Sequence, residues 1–202
     1  MAKVVECIKE KVSQLPVGEP FSSKQFACCG TRAAVDQTLS RLAKNGELTR
    51  VTRGIYVRPK QSKYVGLVMP DPGKIAQAKL VGEQETLQIH GAEAARQFGL
   101  TTQVPTTPVF CSSGPSRKFW VGNLRVQVKH VSPRKLALAG TPAGTALCAL
   151  WYIGRENISE KVIATIKEKL PASEFETLKG ARPMMPVWMA DAIYRYEERT
   201  SR

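Results

Sequence analysis

The sequence predicts an α+β fold: a first part of helices closed by a β-hairpin, then a longer mixed α/β part that ends in helices. Three observations predict it. Apolar residues recur at three- and four-residue steps over 3–15 and again over 32–44, the period of a helix with one buried face. Two short alternating segments, 48–51 and 55–57, flank Thr52-Arg53-Gly54, which has the glycine placement of a hairpin with a bulge. Beyond residue 70, short strand-like runs alternate with helical ones, and the chain finishes in helical segments at 144–153, 159–170 and 186–198.

In chain order, Val4, Val5, Ile8, Val12 and Leu15 make one stripe on the first helix, which Pro16 and Gly18 end. Ser22 is placed to cap a short helix through Ala27, with Phe26 as its core residue. Cys29-Gly30 turns the chain, and Thr31 caps a third helix, Arg32 to Lys44, stopped by Asn45-Gly46. Its apolar face is Val35, Leu39 and Leu42. The order helix, helix-turn-helix, hairpin is that of a winged helix-turn-helix, assigned to residues 1–60. Residues 61–70 read as a linker with one apolar run at 65–69, and a second domain covers 71–202. That domain begins with a helix at 74–81, a strand at 87–89 and a helix at 92–98. Strands follow at 109–112 and 124–131, with Phe119-Trp120-Val121 between them.

Composition narrows the function. The 202 residues carry 30 lysines and arginines against 17 acids, a net charge of +13. Residues 1–62 hold eleven of those basic residues against five acids. Such an excess attracts polyanions, because neutralised phosphates release counterions. No apolar run reaches the roughly 18 residues a membrane span needs, and the N-terminus lacks the apolar stretch of a signal peptide. Five cysteines at irregular spacing, with Cys28-Cys29 adjacent, read as free thiols, which suit a cytoplasmic protein.

The third helix and the hairpin hold the candidate contacts. A helix-turn-helix places the start of its second helix in the major groove, so outward residues there meet base edges or phosphates. Arg32 has the fork for guanine and Gln37 the amide for adenine, beside Ala33 and Asp36 on the same face. Thr31 and the first-turn amides suit a phosphate, and Arg41 and Lys44 add charge further along. Arg50, Thr52 and Arg53 at the hairpin, with Arg58 after it, suit the phosphate backbone. The partner expected on these grounds is double-stranded DNA.

No enzyme is expected. The two histidines, His90 and His130, are forty residues apart, and no carboxylate pair has the spacing of a two-metal site. The loop Ser112-Ser113-Gly114-Pro115-Ser116 has no sequence-adjacent group to activate a serine. No catalytic residue, metal or cofactor is assigned, and the histidines read as structural. Trp151, Trp188, Met184, Met185 and Met189 read as core, with a partner surface at 183–189 as the alternative.

The chain resembles the AbiEi family, antitoxins of bacterial type IV toxin–antitoxin systems. One stretch that carries the likeness ends the first domain, Thr52-Arg53-Gly54-Ile55-Tyr56-Val57-Arg58-Pro59. The other runs from His90-Gly91-Ala92-Glu93-Ala94-Ala95 through Phe98-Gly99-Leu100 and Ser113-Gly114-Pro115-Ser116-Arg117 to His130-Val131-Ser132-Pro133-Arg134. The resemblance implies an autorepressor whose winged helix binds its own operator, and a C-terminal domain that counteracts a nucleotidyltransferase-like toxin. Beside it stand a free-standing regulator and a protein-interaction module that never touches DNA.

Overall fold

The structure, a computed structural model, describes residues 2–64, 66–81 and 84–200. Helices and small sheets alternate in an α+β architecture. The chain divides into two compact units, Met1–Glu85 with Lys118–Val126, and Thr86–Arg117 with Gln127–Arg202.

In the first unit, α1 (Ala2–Gln14) leads to β1 (Pro20–Ser22), a 3-10 helix at Ser23–Cys29, α2 (Arg32–Lys44), β2 (Thr49–Thr52) and β3 (Ile55–Val57). The three strands form an antiparallel sheet in the order β1-β3-β2. The register between β2 and β3 shifts between Arg50 and Thr52, the bulge that the turn residues predict. Strand β1 is an addition to the sequence reading. Three residues are too few for an alternation signal, and the strand exists because Phe21 pairs opposite Tyr56 on the free edge of β3. The core gathers Ile8 of α1, Phe21, Phe26, Val35, Leu39, Leu42, Leu48 and Tyr56. Each large apolar side chain so buried contributes on the order of 2 kcal/mol.

Residues 61–70 are not an open linker. Strands β4 (Lys60–Ser62) and β5 (Gly66–Val68) pair as an antiparallel hairpin; Val65 lies outside the described residues. Helix α3 (Pro72–Val81) then packs on β1 and β3 with Ile75, Ala76 and Leu80 buried. The compact units therefore divide near residue 85, not at the expected start of a second domain at 71. Prolines and glycines at 59, 66, 70 and 72 mark turns within one unit, since a turn and a linker share those residues. The thiols also depart from expectation: Cys7 of α1 and Cys29 form a disulfide, with Cα atoms 5.8 Å apart, leaving Cys28, Cys111 and Cys148 free.

Further along come β6 (Leu87–Ile89), α4 (Gly91–Gln97), β7 (Val109–Ser112), β8 (Arg117–Val121) and β9 (Leu124–His130). In the second unit β6 pairs antiparallel with β7, and β7 runs parallel to residues 127–130 of β9. Helices α5 (Pro142–Ile153), α6 (Glu160–Lys169), α7 (Ala172–Gly180) and α8 (Val187–Thr200) complete it. Buried residues run along nearly all of α5, and α4, α6, α7 and α8 pack their apolar residues into the same cluster. Met185 and Met189 are in this core, and Trp151 meets Trp188 edge-to-face at 6.2 Å, as the core reading expects. Met184 and Val187 stay exposed. Among the described residues, no helix is long and apolar enough to cross a membrane.

Candidate nucleic-acid interface

Helix α2 starts where the sequence places it. The Thr31 hydroxyl accepts the Ala34 amide at 3.4 Å, which holds the first turn. Val35, Thr38, Leu39 and Leu42 face inward, and the Thr38 hydroxyl donates to the Ala34 carbonyl at 2.8 Å. Helical geometry then leaves Arg32, Ala33, Asp36, Gln37, Arg41 and Lys44 outward, and all six are exposed, as is Thr31. Arg32 and Asp36 stand one turn apart with Nε and Oδ2 separated by 3.8 Å. An ion pair this exposed stabilises by only a few tenths of a kcal/mol, so Arg32 can leave it for a base or a phosphate. A small cleft of about 150 Å³, lined by Lys24, Gly30, Arg32 and Asp36, opens at the start of α2.

The hairpin is tied to the same region. The amide of Ser23 donates to the carbonyl of Gly54 at 2.9 Å, so the tip is anchored to the start of the 3-10 helix. Gly54 has φ +77°, the left-handed conformation that lets the strand return. Arg50 lies opposite Tyr56 in the ladder. Burial raises the Tyr56 phenol above its usual pKa; Arg50 opposes that rise and Asp36 adds to it. Residues of α2 and of the hairpin thus lie within electrostatic reach of one buried phenol.

Of the eleven sequence-assigned residues, Thr31, Arg32, Ala33, Asp36, Gln37, Arg41, Lys44, Arg50 and Arg53 are exposed, and Thr52 and Arg58 are half-buried. The Arg58 guanidinium donates to the carbonyls of Ser13 at 2.9 Å and Leu15 at 2.6 Å, so it has a structural role at the end of α1 that the sequence did not show. Sequence reasoning missed Lys79 of α3, whose ammonium lies 3.5 Å from the Arg53 carbonyl and 5.1 Å from the centre of the Phe119 ring. No local signal could have found it, since the contact joins residues 26 apart.

The serine-rich loop is held internally. Ser112 and Ser113 accept the amides of Gly114 and Thr86, and Ser116 accepts that of His130. The fold does bring a histidine there, which sequence adjacency did not show. Its Nδ1, however, faces the carbonyls of Ser113 and Gly114 at 3.2 and 3.1 Å, not a serine hydroxyl.

Residues 7–178 match the model of a family described as a family of unknown function, DUF6088. The chain belongs to the DUF6088 family. Curated proteins give no match. Among solved structures, the chain is similar to that titled "Crystal structure of RV2827C protein from Mycobacterium tuberculosis". The identity is 14% and the TM-score 0.41, with 96% of this chain and 80% of that one covered.

Proposed function

We propose that residues 2–57 form a winged helix-turn-helix that binds duplex DNA sequence-specifically, and that the protein is a transcriptional autorepressor working in the cytoplasm. The observation that carries this reading is the outward face of α2, with Arg32 and Gln37 exposed next to a capped first turn and Arg50 and Arg53 on the adjoining hairpin. In this reading Arg32 and Gln37 read base edges, while Thr31, Arg41, Lys44, Arg50 and Arg53 hold phosphates.

The test is a binding selection on random duplexes, followed by titration of the selected site across salt concentrations. Arg32→Ala or Gln37→Ala should cost roughly 1–3 kcal/mol at the selected site and relax base preference. Arg53→Ala should weaken all duplexes alike and lower the salt slope by about 0.9. Equal affinity for every duplex sinks the specific-regulator reading.

The likeness to AbiEi antitoxins supports a second role, counteracting a nucleotidyltransferase-like toxin. In this reading the second unit supplies that interface, because the first commits α2 and the hairpin to DNA. Co-expression with such a toxin separates the roles. Full-length chain carrying Arg32→Ala and Arg53→Ala should still restore growth if the toxin is opposed by contact. Loss of rescue in that variant means protection acts through repression.

A further inference from the structure

The second unit contains a pocket of about 370 Å³ whose wall is basic. The strand registers set Gln88, Cys111 and Lys129 side by side, so their side chains share one face of the sheet. Helix α5 adds Cys148, Trp151 and Tyr152, three and four residues apart and so on one face. Lys135 comes from the 3-10 helix at Pro133–Leu136, and its ammonium lies 5.2 Å from the centre of the Trp151 ring. His90 and His130 also line it, and among the described residues no carboxylate does.

The electrostatics point to an anion. Burial first, then Lys129 and Lys135, lower the pKa of His90, so both ammonium groups act at the pocket. Burial raises both thiols, Cys148 to about 12, which keeps them protonated. Protonated thiols beside two ammonium groups disfavour a cation, and the described residues contain no group of three or more ligands able to hold a metal ion. One feature favours a ring on the ligand: Tyr152 is 42% exposed, its ring edge-on to His90 with centres 6.3 Å apart.

We propose that this pocket binds a mononucleotide, its phosphate between Lys129 and Lys135 and its base against Tyr152. The volume falls within the roughly 300–1,000 Å³ of small-molecule sites. Two lysine point charges suit a terminal phosphate, and an aromatic face accepts any base. This site is built from residues of the second unit alone and does not rest on the DNA reading.

The experiment titrates the full-length protein with adenosine monophosphate, guanosine monophosphate, adenosine and inorganic phosphate, read by calorimetry and tryptophan fluorescence. At least one mononucleotide should saturate, and adenosine and inorganic phosphate should each bind more weakly. Lys129→Gln and Lys135→Gln, which remove the charge and keep a polar side chain, should each weaken it about tenfold or more. Tyr152→Ala should weaken the nucleotide and leave inorganic phosphate unchanged. Arg53→Ala, which the DNA reading needs, should alter none of these values. The proposal is overturned if no mononucleotide saturates at millimolar concentration, if the double lysine variant, with its thermal unfolding unchanged, binds as well as the parent, or if inorganic phosphate binds as tightly as the nucleotides.

Discussion

The Arg58 guanidinium donates to the Leu15 carbonyl at 2.6 Å and to that of Ser13 at 2.9 Å. Ser13 is in the last turn of α1 and Leu15 just past it, where the helix cannot satisfy the carbonyls. The arginine thereby ties the strand leaving the hairpin back to the first helix.

Removing that tie should cost stability before affinity. Charge-assisted hydrogen bonds of this kind contribute about 1.5–3 kcal/mol. Urea unfolding of Arg58→Ala should show a loss near the lower end, because one of the two bonds is solvent-exposed. DNA binding by the folded fraction should match the parent. A stable Arg58→Ala protein with a reduced salt slope would return Arg58 to the phosphate contacts.

Gly144 should tolerate no side chain. A Cβ there would sit 2.0 Å from the Leu138 carbonyl oxygen and 2.8 Å from the Gln88 amide nitrogen. The backbone oxygen cannot swing aside, so Gly144→Ala forces α5 away from the loop before it. Overpacking of this sort costs about 1–3 kcal/mol, and often more against backbone. Calorimetric melting should show the loss; an unchanged melting temperature would mean the loop gives way freely.

Among the free thiols, Cys28 should react first. The Lys11 ammonium donates to its sulfur at 3.1 Å, and that hydrogen bond is the main cause lowering its pKa. Burial raises Cys111 and Cys148 instead. Brief treatment with iodoacetamide at neutral pH, followed by peptide mass mapping, should label Cys28 and spare the other two. Lys11→Ala should slow the labelling. Faster modification of Cys111 or Cys148 in the native protein would contradict this order.

His90 predicts a pH dependence of stability. Its Nδ1 accepts the Ala92 amide at 3.3 Å, while burial, then Lys129 and Lys135, hold its pKa below the ordinary value of 6.5. Well above pH 6.5 the ring is neutral in both folded and unfolded chains and has no effect. As the pH falls below that value, the unfolded chain takes up the proton first, so stability declines until the folded ring titrates too. His90→Asn retains a capping acceptor and removes the titration. Its unfolding free energy should change less than the parent's as the pH falls from well above the ordinary value of 6.5 to below it. Equal changes in the two proteins would rule His90 out as the source.

Helix periods, caps and turn chemistry act over a few residues, and most of the elements they set were legible, although the sequence reading gave no helix at 172–180, where α7 forms. The stripe of Ile8 and Val12, the Thr31 cap, the bulged turn at Gly54 and the outward set Arg32, Gln37 and Arg41 could all be read from spacing, because side-chain direction follows backbone period. The contacts that only tertiary structure decided join residues far apart in the chain. Arg58 reaches back 43 residues to Leu15, and Cys7 pairs with Cys29 across 22. Strand β1 needed the free edge of β3, and α3 joined the first unit because Ile75 and Leu80 found its sheet. The pocket of the second unit forms because strand register sets Lys129 beside Cys111 while α5 supplies Trp151 and Tyr152. Composition shows how many lysines and aromatics a chain has, but which of them meet depends on closing loops whose ends no local pattern links.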